Sequence, residues 1–257
     1  MSGDILLSGP REALNRTDPL ARQHAREVSY LSVLDKSLTR PPTPLGVLCQ
    51  EMPAVSRRQL RVAWTHGGPG TRQDRISMGD IVYVNGTPAL ANVRQVLASS
   101  DFPAHERPAP WIETQNFVPP DDRQLTVTAY EVNGTANTET FVVDLVTREL
   151  KNLTHSPDHY DECEGVFPDG KYTLIERTEH HGNHWPLCDT YKLALDGSGR
   201  VQRLTHFSDE PGYKGTQGAV SEDGRFMVFQ IGRSGTESGQ GFGLFLFDLT
   251  AFKGSDQ

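Results

Sequence analysis

One unit recurs along this chain, and its recurrence limits the fold more than any other feature. GVFPDGKYTLIER at 165–177 returns as GAVSEDGRFMVFQIGR at 218–233, and more loosely as NFVPPDDRQLTVTAYE at 116–131 and PAVSRRQLRVAW at 53–64. Aligned on the residue after the turn, the copies fall at Gln59, Gln124, Lys171 and Arg225, spaced by 65, 47 and 54 residues. Asp-Gly ahead of an alternating apolar run is a hairpin signal, because such a turn needs left-handed backbone. The period of two gives each run one face for a core. A third strand follows each copy (VSYLSVL, GDIVYVNG, ETFVVDL, TYKLALDG, GLFLFDL), then a fourth (PLGVL, VRQVLA, ELKNLT, RVQRLT). A four-stranded unit cannot bury both faces alone, so the copies must stack on one another. The expected fold is all-β: a β-propeller of four-stranded antiparallel blades, about five of them visible.

The stretches VVDLVTRELKNLT…FPDGKYTLIER and LALDGSGRVQRLT…SEDGRFMVFQ resemble the repeat of TolB-type, WD40-like propellers. The match is good over 139–250, degenerate at the turns over 51–138 and weak over 1–50. The resemblance implies fold more than function. Such propellers serve as periplasmic scaffolds, as entry filters of peptidases and as lyases of the oligogalacturonate type. A single propeller domain over 1–257 is expected. The first unit opens at its second strand, SGDILLSG, and the last ends at its third, GLFLFDL. That leaves three arrangements open: a compact five-bladed ring, a fragment of a six- or seven-bladed propeller, or an open arc closed by another copy. Residues 10–27, PREALNRTDPLARQHARE, break the pattern. Thr17 or Asp18 can cap and Pro19 suits the first helical position, so a short helix is expected near 18–27.

Charge and cysteine content narrow the function classes. The net charge is −8 and the pI near 5.6, which argues against nucleic acid as a partner. No apolar run reaches the ~18 residues of a membrane span. The N-terminus lacks the basic and apolar regions of a signal peptide, so the expected location is cytosolic, or exported with the signal removed. Three cysteines do not make a disulfide framework. A Cys163–Cys188 bridge and buried inert thiols are both open readings.

In a propeller the strands run alternately up and down. The links between second and third strands, and those from one blade to the next, therefore share one face. All nine histidines fall in these links: His24, His66, His105, His155, His159, His180, His181, His184 and His206. This marks a functional upper face. EHHGNHW (179–185) lies in one such loop beside THSPDHYDECE (154–164). His159, His180, His181, His184 and Glu162 are the candidate ligands for Zn or Mn, which take three or four imidazole or carboxylate ligands. The spacing matches no named metal motif, and loop histidines that hydrogen-bond and stack on Trp185 are the competing reading. His155 and His206 follow Leu-Thr at the same repeat position, which favours a structural role. Glu113, Gln115, Trp185, Lys214, Gln217 and Arg233 are candidate ligand-binding residues.

Two functions follow. The first is a propeller that binds a small molecule, a carbohydrate or a protein on this face, with another copy or further blades closing the ring. The second, an alternative of the oligogalacturonate-lyase kind, is a metal-dependent lyase of acidic sugars. There His181, His184 or Tyr213 would remove the proton beside the carboxylate. Binding is the favoured reading.

Overall fold

In the computed structural model, the described residues are 5–10 (backbone alone), 29–56, 58–67, 73–107, 109, 111–132, 137–179, 187–236 and 240–251. The helix expected near 18–27 lies outside them. The chain divides into two compact units, Met1–Gln115 and Asn116–Gln257. No helix among the described residues is long and apolar enough to cross a membrane.

The first unit is one meander of six strands: β1 (Ile5–Pro10), β2 (Ser29–Leu34), β3 (Thr43–Val55), β4 (Arg61–His66), β5 (Arg75–Val84) and β6 (Thr87–Ala98). The sequence predicts two separate blades here. The fourth strand of the first and the first strand of the second instead run together as the 13-residue β3. Its first part pairs with β2, through Tyr30↔Leu48 and Val33↔Thr43. Its second part pairs with β4, through Cys49↔His66 and Val55↔Val62. Left-handed backbone at Gly46 and Glu51 lets the strand turn from one partner to the other. Leu31, Val33, Leu45, Cys49, Val62, Trp64 and Ile81 form the core of this unit.

The remaining strands follow the predicted repeat. They are β7 (Trp111–Val118), β8 (Gln124–Tyr130), β9 (Thr138–Asp144) and β10 (Leu150–Asn152), ordered β10-β9-β8-β7. The next sheet is β11 (Asp161–Val166), β12 (Tyr172–Arg177), β13 (Asp189–Ala194) and β14 (Val201–Arg203) in consecutive order. A three-stranded sheet ends the series: β15 (Tyr213–Val220), β16 (Phe226–Arg233) and β17 (Gly241–Asp248). The boundary between the two units falls inside β7.

Strand alternation distributes the core of the second unit. On β12, Ile175 packs with Val118, Val142, Leu153 and Leu193. Its neighbour Leu174 points the other way and packs with Val220, Met227, Phe229 and Ile231. Each such side chain contributes about 1.5–3 kcal/mol when fully buried. The FPDG turn needs glycine at its end. Gly170 has φ +68° and lies so close to the Pro119 carbonyl that a Cβ would collide with it. Between sheets, β11 and β15 approach at Gly165, where a Cβ would lie 3.0 Å from the Gly218 carbonyl oxygen.

Candidate functional site

The repeated Leu-Thr motif has a buried acceptor that the sequence reading missed. Glu139, at the start of β9, accepts from Thr154 Oγ1 (2.6 Å) and from the Ser156 amide (3.1 Å). Thr154 Oγ1 accepts in turn from the Thr140 amide (3.2 Å). One sheet later Asp189 repeats the arrangement. It accepts from Thr205 Oγ1 (2.6 Å) and the Phe207 amide (2.8 Å), and Thr205 Oγ1 accepts from the Thr190 amide (2.9 Å). Asp189 also pairs with Arg203 at 2.7 Å. These networks tie each third strand to the link that follows its sheet. His155 and His206 sit on that link with exposed side chains, so the repeat uses the threonine and leaves the histidine outside.

The paired strands β11 and β12 carry a different chemistry. Glu162 and Glu164 on β11 and Glu176 on β12 bring one carboxylate oxygen each within 4.8 Å of the others. Tyr130 donates to Glu162 Oε1 at 2.7 Å, and Tyr160 donates to Glu162 Oε2. Glu176 Oε1 accepts from the Gln217 amide at 2.7 Å, and Cys188 Sγ lies 3.4 Å from Glu176 Oε2. The left-handed φ of Gln217, +53°, sits within the irregular register of β15 between Thr216 and Ala219. Burial, then the neighbouring carboxylates, push the Glu164 carboxyl well above its ordinary range. Burial also raises Glu176, against the Gln217 amide that favours its charged form. Burial holds the Tyr160 phenol and the Cys188 thiol protonated.

A second buried charge sits at the start of β11. Asp161 faces Arg177 at 3.2 Å and accepts from Ser156 Oγ. Burial lifts its carboxyl to about 7 despite the guanidinium.

Of the sequence candidates, Glu162 joins the cluster, and Gln217 reaches it through its backbone. Lys214 is fully buried on β15, and its ammonium donates to the Thr236 carbonyl at 2.7 Å. His159 is half-buried and, among the described residues, stands outside the carboxylate group. Glu113 is buried and accepts from Gln73 Nε2 at 3.3 Å, while Gln115 is half-buried. His180, His181, His184 and Trp185 lie outside the described residues. Cys163 and Cys188 are free, buried thiols.

Tyr213 and Arg233 come together as direct partners across the β15–β16 ladder. Tyr213 stacks on Phe242 with ring centroids 4.8 Å apart, and the Arg233 guanidinium lies 5.8 Å from the Phe242 ring. Both rings are substantially exposed, Tyr213 by 39% and Phe242 by 48%. Phe242 was hidden within the glycine-rich run GRSGTESGQGFG, where only its aromatic character sets it apart.

By sequence the chain matches no family model and no curated protein. Its structure is similar to TolB from Acinetobacter baumannii, with a TM-score of 0.59 and 20% identity, covering 97% of this chain and 51% of that one. It is similar to a provisional TolB from Agrobacterium tumefaciens, with a TM-score of 0.60 and 14% identity over 86% of this chain and 70% of that one. An oligogalacturonate lyase in complex with manganese gives 0.52 and 15% over 95% of this chain and 61% of that one. The chain thus spans about half the length of the Acinetobacter protein. At such identities the likeness defines architecture: the chain has the fold of the TolB-type β-propellers.

Proposed function

We propose that this chain is a binding propeller, and that it engages its ligand through the Tyr213–Phe242–Arg233 surface at one end of the last sheet. The observation that supports this reading is the exposure of two stacked rings with a guanidinium beside them. Burying an aromatic side chain is a main source of folding free energy, yet these two leave much of their area in water. Stacked aromatics with an arginine suit a planar or sugar ring carrying negative charge, through stacking and cation–π contact.

The lyase alternative draws on the fold shared with an oligogalacturonate lyase. Its candidate bases are His181 and His184, which lie outside the described residues, and Tyr213, which stands in the exposed stacked surface itself. We favour binding because that surface can hold a ring by stacking alone. Glycan and peptide arrays probed with the wild-type chain and with a Tyr213→Ala/Phe242→Ala variant test it. The expected result is signal in the wild type that the variant loses. Signal of equal strength in both would refute the surface. Release of unsaturated sugar from oligogalacturonate would replace binding with catalysis.

A further inference from the structure

The two grooves between the last three sheets are built alike and differ in what fills them. The Leu145 amide donates to the Arg123 carbonyl, the Leu195 amide to the Lys171 carbonyl and the Leu249 amide to the Arg225 carbonyl. These matching bonds put the three sheets in one register, in which Lys192 of β13 takes the place of Val142 of β9. The ladders agree: Val142 faces Thr126 and Lys151, and Lys192 faces Leu174 and Gln202. In the first groove Val142 is buried in the core with Val118 and Ile175. Gly170 lies against the Pro119 carbonyl, and Lys151 reaches across to donate to the Asp196 carbonyl at 2.8 Å. These contacts close that groove.

The second groove holds a cavity of about 500 Å³, a size suited to a small molecule. Its apolar walls are Phe167, Pro168, Leu204 and Leu249. Lys192 lines it where the first groove has valine, and Gln202 lines it where the first has the bridging lysine. The Lys192 ammonium lies 4.0 Å from the centroid of the Tyr172 ring and 4.8 Å from that of Phe167. The two rings meet edge to face at 6.1 Å. They fix the ammonium in place and leave its charge unneutralised. Neither Lys192 nor Gln202 has a hydrogen-bond or ion-pair partner among the described residues. On the rim stand Asp169 and Asp223, the exposed aspartates of the two Asp-Gly turns. Each uses Oδ1 to hold the amide two residues on, that of Lys171 at 3.0 Å and that of Arg225 at 3.0 Å. Ser221 Oγ also donates to Asp223 Oδ1 at 2.6 Å. The Arg225 guanidinium is held by Asp248 at 3.2 Å.

We propose that this cavity binds a compact zwitterion with an apolar body, a free apolar amino acid or a dipeptide. Its carboxylate takes the Lys192 ammonium and the Gln202 amide, as a charge-assisted pair. Its ammonium takes Asp169 or Asp223, and its side chains lie on the apolar walls. The arrangement of charge selects this class. A ligand with a carboxylate alone meets two aspartates, and one with an ammonium alone meets the lysine, so like charges disfavour both. Val142 shows that an apolar side chain serves the fold at the Lys192 position. The cavity lies in the second unit and shares no residue with the Tyr213–Phe242 surface, so the outcome at either bears nothing on the other.

The test is calorimetric titration of the whole chain with L-leucine and with leucyl-leucine. Beside them run N-acetyl-leucyl-leucine, which lacks the ammonium, and leucyl-leucinamide, which lacks the carboxylate. The expected result is one site per chain for at least one of the two zwitterions, and binding at least about tenfold weaker for both blocked forms. Lys192→Val copies the first groove and should abolish binding. Lys192→Met keeps the length of the side chain and must do the same. Asp169→Asn/Asp223→Asn keeps the turn acceptors; it should weaken the zwitterion and leave the N-acetyl form unchanged. Thermal melting checks that each variant is folded. No heat with either zwitterion would overturn the proposal and leave Lys192 as a side chain packed on two rings. A blocked form that binds as tightly as leucyl-leucine, or undiminished binding in both lysine variants, would overturn it too.

Discussion

Glu139 and Asp189 do the same work in consecutive sheets, whereas Glu162 and Glu176 face each other on a rung that the next sheet fills with Thr216 and Gln230. The first pair sits at the start of the third strands and holds the Leu-Thr links by matching hydrogen bonds. The second pair sits on a rung where the next sheet is content with threonine and glutamine. A charge that recurs with the repeat belongs to the architecture. One that departs from it, against the local electrostatics, belongs to something added.

The largest effect is expected where a repeated charge is removed. Asp189→Ala leaves Thr205 Oγ1 and the Phe207 amide without their acceptor and Arg203 with Asp209 as its remaining carboxylate partner, and costs about 3–5 kcal/mol in urea unfolding, as for a broken buried pair. A loss under about 1 kcal/mol would break the assignment of Asp189 to the architecture.

Apolar positions show the same contrast. Leu174 is fully buried and packs against the last sheet, while Leu246, on the outward face of β17, is 70% exposed. Leu174→Ala should cost about 2–5 kcal/mol. Leu246→Ser should stay within about 0.5 kcal/mol of the wild type. Equal losses would mean that the face of β17 is covered in solution.

The pH dependence of stability sharpens the comparison further. Asp161 has its carboxyl lifted to about 7, chiefly by burial. The unfolded chain's aspartates titrate near ~3.9. Between these values the folded state keeps a proton that the unfolded state has released. Stability from this group is therefore fully present below about pH 4 and is lost as the pH rises through 7. Urea midpoints at pH 5, 6 and 7 should fall with pH in the wild type and fall less steeply in Asp161→Asn. An unchanged slope would assign the dependence to Glu164 and Glu176.

The smallest effect belongs to the exposed pair Arg225–Asp248 at 3.2 Å. Arg225→Ala should change stability by about 0–1 kcal/mol, less at high salt.

Much of this was legible in the sequence. The Asp-Gly turns and alternating runs placed the strands from 111 to 248, because turn geometry and period-two burial are local properties. The merging of two blades through β3 was not legible, since pairing partners, not local pattern, decide where one sheet ends. The acceptors Glu139 and Asp189 had a readable signal: each precedes its Leu-Thr threonine by 15 or 16 residues. Histidines drew attention instead, whereas His155 and His206, expected to be structural, are exposed on the links that their neighbouring threonines hold. Glu176 stood in plain view as a carboxylate inside the apolar strand YTLIER, but only the ladder brought it opposite Glu162.

The central claim is that the Glu162–Glu176 rung serves something other than folding. Its most direct test is the melting temperature of Glu162→Thr/Glu176→Gln against the wild type, both in excess chelator at pH 8. Replacing buried like charges with the neutral pair of the next sheet should leave the variant as stable as the wild type or more so. A variant that melts well below the wild type would show that the glutamates are part of the architecture, and would contradict the account.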